Sequence, residues 1–378
     1  MIPTEEQIMI RDMARAFAAE QIAPYAAEWE AEAHFPRHIF TAMGKLGLMG
    51  MTVPQEWGGA GLDYVTYAMA LEEIAAGDGA VAIVMSGHNS VGCMPILEYG
   101  SDGQKERYLR ALAQGEILCA FALTEAKGGS DAGALTTRAV RGADGYVING
   151  NKQFITTGKN AELTLVFAVT DPDMGKRGIS AFIVPTDTPG YEVVRLEDKM
   201  GLNASDTAQL AFNDMRLPHD ALLGAEGQGY RIALGNLEGG RIGIAAQSLG
   251  MARAAHEVAL AYAQEREAFG KPIIEHQAVA FRLADMATQL AAARQLIWHA
   301  AALRSAGRKC LMEASMAKLF ASDMAEKVCS DAMQTLGGYG FLRDFPIERY
   351  YRGVRGARIY EGTNDIQKLV IARDLVAG

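Results

Sequence analysis

The feature that most constrains this chain is a block of short β-prone runs, from about residue 119 to 227, between two longer helical regions. Turn signals such as Asp144-Gly145, Asn149-Gly150 and Pro189-Gly190 separate the runs, and no helical segment intervenes. A sheet without crossover helices is predicted to be antiparallel, as a small barrel or sandwich. The sequence therefore predicts an α+β fold, mainly α, with an N-terminal helical domain (1–118), a middle antiparallel β domain (119–227) and a C-terminal helical bundle (228–378).

Both flanking regions carry the patterns of helices. Thr4 with Gln7 has the spacing of a capping box, which predicts that the first helix begins there. Toward the other end, a long helix is predicted over residues 311–335, and Asn364 with Gln367 is predicted to start the last helix. Apolar residues at a 3-4-3-4-3 spacing predict the seam of a C-terminal four-helix bundle. These seam residues are Leu283, Met286, Leu290, Ala293, Ile297 and Ala300.

Charge and composition exclude several classes of protein. Lysine and arginine number 36 against 45 aspartate and glutamate residues, an acidic balance that argues against a nucleic-acid partner. We find no apolar run approaching the ~20 residues of a bilayer span, and the charged N-terminal segment lacks the pattern of a signal peptide. The four cysteines show no CxxC spacing, which favours a reducing compartment. We therefore expect a cytoplasmic location and no membrane insertion.

Motifs for several common chemistries are missing from the sequence. There is no GxGxxG after a strand and no GxxxxGK[ST], so neither Rossmann-type dinucleotide binding nor P-loop nucleotide hydrolysis is expected. His34 and His38 stand four apart, but Pro36 lies between them and interrupts a helix, which favours a solvated loop over a metal pair. No metal site is predicted.

Two segments stand out as candidate functional sites. The first, ALTEAKGGSD at residues 122–131, has exposed backbone amides that, with Ser130, can hold a phosphate; a plain glycine-serine turn is the alternative. The second combines QTLGGYGF at 334–341 with IYEGTN at 359–364, where Glu361 lies just before a predicted helix. Glu361 is either a carboxylate favoured by a helix N-terminus or a base held on a turn beside a cleft.

Taken together on an α–β–α layout, these segments resemble the acyl-CoA dehydrogenase family over nearly the whole chain. ALTEAKGGSD is similar to the first family signature, and QTLGGYG and IYEGTND are similar to the second signature and the catalytic turn. The stretches REAFG at 266–270 and EHQ at 275–277 match further family patterns. The resemblance implies FAD bound between the β domain and the bundle, a homotetramer built from two dimers, and a place in fatty acid or branched-chain amino acid catabolism. It also implies oxidation of an acyl-CoA to trans-2-enoyl-CoA, with electrons passing to an electron-transferring flavoprotein.

The resemblance further implies roles for individual residues. Glu361 matches the base that removes the α-proton of the substrate. On the substrate side, Glu238 and Arg241 match an acidic and basic pair near the CoA moiety, although a surface helix arginine is the alternative for Arg241. Other expected substrate contacts are Ser130, Tyr360 and Gly362. Residues of the β domain that match flavin contacts are Phe121, Leu123, Thr124, Ser130, Phe154 and Thr156. Those matching FAD contacts from a neighbouring subunit are Arg266, Phe269, Gln277, Gln334 and Gly338, and those on the adenosine side are Thr363 and Asp365.

The sequence departs from the family pattern at several positions. Ala126 replaces the usual proline of the first signature. Phe154 stands where many members carry tryptophan, as it does in some short branched-chain members. Gly353, after Arg352, replaces the aspartate that usually closes the second signature, which removes an expected ion-pair partner but does not touch the base. Phe154 and the segments LEGGRI at 237–242 and LADMA at 283–287 resemble short-chain and isobutyryl-type members more than long-chain ones. We therefore expect a short acyl-CoA substrate, straight or branched at the α-carbon.

Other functions on the same fold stay open at this point. One is an oxidase, in which oxygen reaches the reduced flavin; another is a desulfinase. Glu361 occupies the common position of the base, which argues against desulfinases that dispense with it. The alternative position of the base in this family lies on the helix that contains residues 237–241. Gly240 is found there and has no side chain that could act as a base. A third alternative, from a different class, is a non-catalytic CoA-binding scaffold.

Overall fold

The first region of the chain is helical, as predicted. The computed structural model describes residues 2–377, and residues 5–113 form α-helices joined by short loops and π-helical turns. Thr4 and Gln7 form the predicted capping box, and Asp78 accepts hydrogen bonds from two backbone amides at 2.7 and 2.9 Å to cap a later helix. The helices are α1 (Glu5–Phe17), α2 (Ala26–Glu32), α3 (Arg37–Lys45), α4 (Tyr64–Gly77), α5 (Gly79–Gly87), α6 (Met94–Tyr99), α7 (Asp102–Gln104) and α8 (Arg110–Ala113).

The middle region folds into one sheet with the order β6-β7-β3-β2-β4-β5-β8, and β1 lies beside β4. The strands are β1 (Cys119–Ala122), β2 (Arg138–Arg141), β3 (Tyr146–Thr156), β4 (Leu163–Val169), β5 (Ile179–Pro185), β6 (Tyr191–Leu196), β7 (Thr207–Leu217) and β8 (Leu222–Leu223).

The sheet is mixed, so the prediction of a purely antiparallel β domain is wrong for two strand pairs. Strand β1 runs parallel to β4, with Cys119 opposite Leu163, and β2 meets β4 in parallel at Arg138 and Val169. The remaining pairs are antiparallel. Parallel neighbours need a long connection. Here the connection between β1 and β4 is made by β2 and β3, so no crossover helix is required.

The C-terminal region is a helical bundle built around α10. Its elements are α9 (Gly229–Gly235), α10 (Leu237–Glu265), the hairpin β9 (Glu267–Ala268) and β10 (Lys271–Pro272), α11 (Gln277–Ser305), α12 (Leu311–Leu336), α13 (Ile347–Ala357) and α14 (Asn364–Ala377). All six predicted seam residues of α11 are buried, which confirms that pattern. Helix α10 packs against α12, α11 and α13, and also against α4 from the first region. The bundle and the N-terminal helices therefore share one core.

One helical stretch, Gly79–Tyr99, has the length and mean hydropathy (1.4) of a membrane-spanning helix. The expectation that no apolar run approaches that length is therefore wrong. However, 83% of its most apolar window is buried inside the protein. Helix α5, which begins this stretch, packs against α4 and α10. The stretch is thus a core helix of this fold, and its apolar composition is explained by burial on all sides.

Candidate active site

The turn between α13 and α14 carries Glu361 in a left-handed backbone conformation, with φ of +55°. Such a conformation costs free energy in a residue with a side chain and persists only where surrounding contacts impose it. Two side chains supply these contacts. The Gln367 amide donates to the carbonyl of Glu361 at 3.1 Å and to that of Gly362 at 2.8 Å. The Lys318 ammonium also donates to the Gly362 carbonyl, at 2.9 Å.

The last helix begins at Asn364, as predicted, although its cap differs from the prediction. The hydroxyl of Thr363 accepts from the amide of Ile366 at 3.4 Å. The Asn364 side chain instead accepts from Lys318 at 2.9 Å, while Gln367 reaches back to the turn. Asn364 and Gln367, the two residues of the predicted capping pair, therefore both help to hold the Glu361 turn.

The Glu361 carboxylate lies against α10 at Gly240. A Cβ atom added at Gly240 would stand 2.9 Å from each carboxylate oxygen. Burial raises the pKa of Glu361 above its usual value, while the positive charges of Arg241 and Lys318 oppose that rise. A partly desolvated carboxylate with a raised pKa is suited to accept a proton.

Helices α4 and α5 pack against α10 close to Gly240, since a Cβ added at Gly243 would stand 2.7 Å from the Tyr67 hydroxyl oxygen and closer still to that of Ser86. The Tyr67 hydroxyl lies 3.3 Å from that of Ser86, and both residues are buried. Burial raises the pKa of Tyr67, with the charge of Glu361 as a further contribution, so Tyr67 is a neutral hydroxyl at physiological pH. One residue beyond Ser86, a Cβ added at Gly87 would meet nothing within 4 Å. Free space therefore adjoins this end of α5.

The predicted substrate pair on α10 is divided between two environments. Arg241 is buried, and its guanidinium donates to the Ser315 hydroxyl at 3.1 Å, so the alternative of a surface arginine is excluded. Its Nε atom has no hydrogen-bond partner among the described residues. Glu238 instead forms an ion pair with Arg304 at 2.9 Å. The structure therefore brings Arg241 to the Glu361 side of the helix and Glu238 to a separate ion pair.

The glycine-rich segment is organised by Glu125, which sequence reasoning did not single out. Its carboxylate pairs with the fully buried Lys152 at 2.8 Å and accepts from the backbone amides of Thr136 and Thr137 at 2.6 and 3.1 Å. Burial alone would raise the pKa of Glu125, but Lys152 and these hydrogen bonds outweigh it and lower the pKa to about 2. Lys152 also donates to the Leu123 carbonyl at 3.0 Å, which fixes the start of the segment.

The predicted flavin residues of the β domain lie along this segment and the adjoining strand. Phe154 occupies a bulge in β3, with φ of +60°, and its side chain is 59% exposed. A bulge that turns an aromatic ring toward solvent is typical of strands beside functional sites. Ser130 is exposed, and the other members are half-buried. Those half-buried members are Phe121, Leu123, Thr124 and Thr156.

The residues predicted to reach a neighbouring subunit form a separate group on the bundle. Arg266, Gln334 and Gly338 line one surface cleft of about 550 Å³, between the end of α10 and the segment after α12. Phe269 is on the hairpin tip beside this cleft, with φ of +55° and 96% exposure, and Gln277 is exposed at the start of α11. The two remaining adenosine-side candidates lie next to the Glu361 turn. These are Thr363, which caps α14, and the exposed Asp365.

Tyr360 and Gly362 flank Glu361 on the turn. The Tyr360 hydroxyl donates to the Gln247 side chain of α10 at 3.1 Å, which ties the turn to that helix. Gly362 has φ of +84° and offers its carbonyl to Lys318 and Gln367. Sequence reasoning missed Lys318 because a lysine within a predicted helix is usually a solvated residue.

The departure at Gly353 has a local explanation. A Cβ atom at this position would stand 3.1 Å from Leu202 and 3.2 Å from Met251, so a side chain would crowd the core. Arg352 does not lack acidic partners, because its guanidinium pairs with Glu30 at 2.5 Å and with Glu348 at 2.7 Å. Arg352 therefore has ion-pair partners even though residue 353 carries no carboxylate.

The helical, β and helical regions correspond in order to the three domains of a class of flavin-dependent dehydrogenases. The chain belongs to the acyl-CoA dehydrogenase family. Models of the family's N-terminal, middle and C-terminal domains match residues 4–116, 120–215 and 227–376. The sequence-based prediction of this family and its fold is confirmed.

Individual relatives agree with the family assignment. The chain is 50% identical to an acyl-CoA dehydrogenase of Bacillus subtilis over 99% of both chains. It is 46% identical to the short-chain specific acyl-CoA dehydrogenase of Bos taurus mitochondria, over 98% of this chain and 90% of that protein. Among solved structures, butyryl-CoA dehydrogenase from Megasphaera elsdenii superposes with a TM-score of 0.98 at 39% identity, covering 100% of this chain and 99% of that one.

Proposed function

We propose that this protein oxidises a short acyl-CoA to trans-2-enoyl-CoA with bound FAD and passes the electrons to an electron-transferring flavoprotein. The observation that carries the proposal is the Glu361 carboxylate, presented over Gly240 by a left-handed turn and flanked by Arg241. The short-chain preference is supported by the relatives named as short-chain specific and butyryl-CoA dehydrogenases. The flavoprotein acceptor is the one that the family resemblance implies.

The residues present fit FAD. The cleft of about 550 Å³ beside Arg266 offers a guanidinium that can pair bidentately with a pyrophosphate. The exposed ring of Phe154 offers an apolar face for an isoalloxazine, and the exposed Ser130 offers a hydroxyl beside two glycines. We propose that one subunit contributes the β-domain residues and the Glu361 turn, and that a neighbouring subunit contributes the Arg266 cleft. When bound, FAD supplies an acceptor for the hydride from the β-carbon of the substrate.

In the proposed mechanism, Glu361 removes the α-proton of the thioester. Burial raises the pKa of the Glu361 carboxyl, while the positive charge of Arg241 opposes the rise and favours the ionised form. Gln367 fixes the turn by donating to the carbonyls of residues 361 and 362. The backbone amide of Glu361 is proposed to face the thioester carbonyl, as the family resemblance implies. Amides aimed at that oxygen stabilise the enolate-like charge that develops on it.

The acyl chain is proposed to lie between α4, α5 and α10. Tyr67 and Ser86 close one side of this space with neutral hydroxyls. The exposed loop of Ser130 and the turn residues Tyr360 and Gly362 are proposed to contact the CoA side, as the resemblance implies. The ion pair of Glu238 with Arg304 lies beside Tyr64, whose ring centroid is 5.5 Å from that guanidinium.

A homotetramer is part of the proposal because the FAD site is shared between subunits. Apart from the Arg266 cleft, the bundle exposes an apolar groove of about 590 Å³ between α11 and α12. Large exposed apolar patches mark association surfaces. A second copy of the chain is the occupant that the resemblance implies. The apolar residues of the groove are Leu296, Met316, Leu319, Phe320 and Met324.

The test of this function is the visible spectrum of the purified protein. A yellow protein whose flavin absorbance is bleached by butyryl-CoA under nitrogen, with formation of the enoyl product, supports the proposal. A colourless protein that cannot be loaded with FAD would favour the non-catalytic scaffold. Rapid recovery of the absorbance in air, without an electron-transferring flavoprotein, would favour the oxidase. The cytoplasmic location and the metabolic pathway stay predictions.

A further inference from the structure

Lys318 is a fully buried lysine in the middle of α12 that contacts the catalytic turn. Its ammonium donates to the Gly362 carbonyl and to the Asn364 side-chain oxygen, both at 2.9 Å. Burying an ammonium is costly unless negative charge offsets the loss of water. Burial lowers the pKa of Lys318 to about 8, and the charge of Glu361 is the first influence opposing that shift.

The hydrogen bonds explain only part of this position. The Gly362 carbonyl also accepts from Gln367 at 2.8 Å, so Lys318 is not its only donor. The Ser322 hydroxyl lies 3.2 Å from the Asn364 oxygen, but its single hydrogen has a closer acceptor in the Lys318 carbonyl at 2.8 Å, which leaves Lys318 as the donor to the Asn364 oxygen. Beyond these hydrogen bonds, Lys318 adds a positive charge next to the turn.

We propose that Lys318 is a positioning residue for the reaction: its contact with Gly362 holds the turn that presents the carboxylate over Gly240, and its positive charge next to that turn favours the ionised form of Glu361. The inference rests on the proposed function, in which Glu361 is the base. It assigns to α12 a part in the chemistry, in addition to its part in the bundle core.

The remaining charges around the site limit how far the pKa of Glu361 should rise when Lys318 is replaced. Arg241 lies on the opposite helix and stays in place when Lys318 is replaced, so only part of the positive field is lost. A single nearby charge shifts a carboxyl pKa by about one unit or more. The other titratable or charged side chains that act on Glu361 or Lys318 are Tyr67 from α4, Arg241 from α10, Asp323 from α12, and Arg358 and Tyr360 from the segment before the turn.

The experiment is the pH profile of flavin reduction in the FAD-loaded enzyme, measured anaerobically with saturating butyryl-CoA. Lys318→Met removes the charge and keeps the length of the side chain. We expect its acidic limb to move to higher pH by about one unit, because Glu361 then binds its proton more tightly. At high pH the two rates should converge, because Lys318, with its pKa lowered to about 8, is then itself neutral in the wild type and no longer adds a charge beside Glu361. Lys318→Arg keeps the charge, so the acidic limb of its pH profile should lie at the same pH as that of the wild type.

The matched control is Lys309→Met, which removes an exposed lysine from the segment just before the same helix. Its profile should superpose on that of the wild type. A Lys318→Met limb that does not move, or a rate that falls by one factor at every pH, would overturn the inference. So would failure of both Lys318→Met and Lys318→Gln to yield folded, flavin-loaded protein, because Lys318 would then be structural. If the wild type itself is not reduced by butyryl-CoA, the proposed function fails instead.

Discussion

The carboxylate of Glu361 lies against the bare backbone of Gly240, with no side chain between them. Both carboxylate oxygens are 2.9 Å from the point where a Cβ of residue 240 would be. That separation is shorter than an ordinary carbon–oxygen contact, so the base can occupy this place only because residue 240 is glycine. Two segments more than a hundred residues apart in the sequence are thus fitted to each other at the reacting centre.

Replacing this glycine should displace the base without removing it. We expect Gly240→Ala to retain FAD but to reduce flavin with butyryl-CoA at least about tenfold more slowly, since small misplacements of a reacting group are costly. Stopped-flow absorbance under nitrogen measures the rate. Gly103→Ala is the control, because a Cβ there meets nothing within 4 Å. A wild-type rate for Gly240→Ala would show that the carboxylate works from another position.

The Glu125–Lys152 pair should make the stability of the protein sensitive to acid. Because the pKa of Glu125 is lowered to about 2 in the folded protein, its stabilisation is complete above about pH 4.5 and is lost as the pH falls toward 2. At neutral pH, Glu125→Gln should therefore lower the free energy of unfolding by about 3 kcal/mol, because Lys152 is left buried without its ionic partner. Tm should fall accordingly. The difference from wild type should narrow between about pH 4.5 and 2. Calorimetric scans across this range test it, with the exposed Glu192→Gln as control. A Tm difference that stays constant over the range would contradict the assignment.

Retention of FAD should depend on Arg266. Since this guanidinium lines the bundle cleft, Arg266→Ala is expected to release flavin on dilution or gel filtration, while secondary structure is unchanged. The ratio of flavin to protein absorbance in the eluted peak gives the result. Arg216→Ala, on the exposed side of β7, removes the same charge away from the cleft and should retain flavin. Equal retention by Arg266→Ala and wild type would refute the shared site.

The accepted acyl chain should be short. We expect kcat/KM for butyryl-CoA or isobutyryl-CoA to exceed that for octanoyl-CoA. Each buried methylene is worth about 0.8 kcal/mol, so a deep pocket would instead show a steady rise with chain length. Gly87 adjoins free space, and Gly87→Val should lower activity on hexanoyl-CoA more than on butyryl-CoA. A rise in kcat/KM through octanoyl to palmitoyl would reject the short-chain assignment and leave the dehydrogenase function intact.

Local patterns in the sequence were enough to predict the buried seam of α11 and the start of α14. The seam of α11 follows from spacing alone, and Glu361 lies directly before the predicted start of α14. The parallel pairing of β1 with β4 was not predictable in this way. Strand direction depends on which strands meet across the sheet, and that information is not in the composition of either strand.

The polar partners of the site were equally out of reach of local patterns. Lys152 and Glu125 are 27 residues apart, and Lys318 is 44 residues from Gly362. A lysine in a predicted strand or helix is expected to face solvent, and only the three-dimensional arrangement shows that both are buried. The resemblance to a family located the site residues, whereas the reasons for their positions come from contacts between distant segments.

The most direct test of the central claim is the rate of flavin reduction in Glu361→Gln. This substitution keeps the size of the side chain and removes its capacity to accept a proton. We predict that the variant retains FAD and binds butyryl-CoA, but that its anaerobic reduction is slower than that of the wild type by about two decades or more. Bleaching of the flavin at the wild-type rate would contradict the assignment of Glu361 as the base.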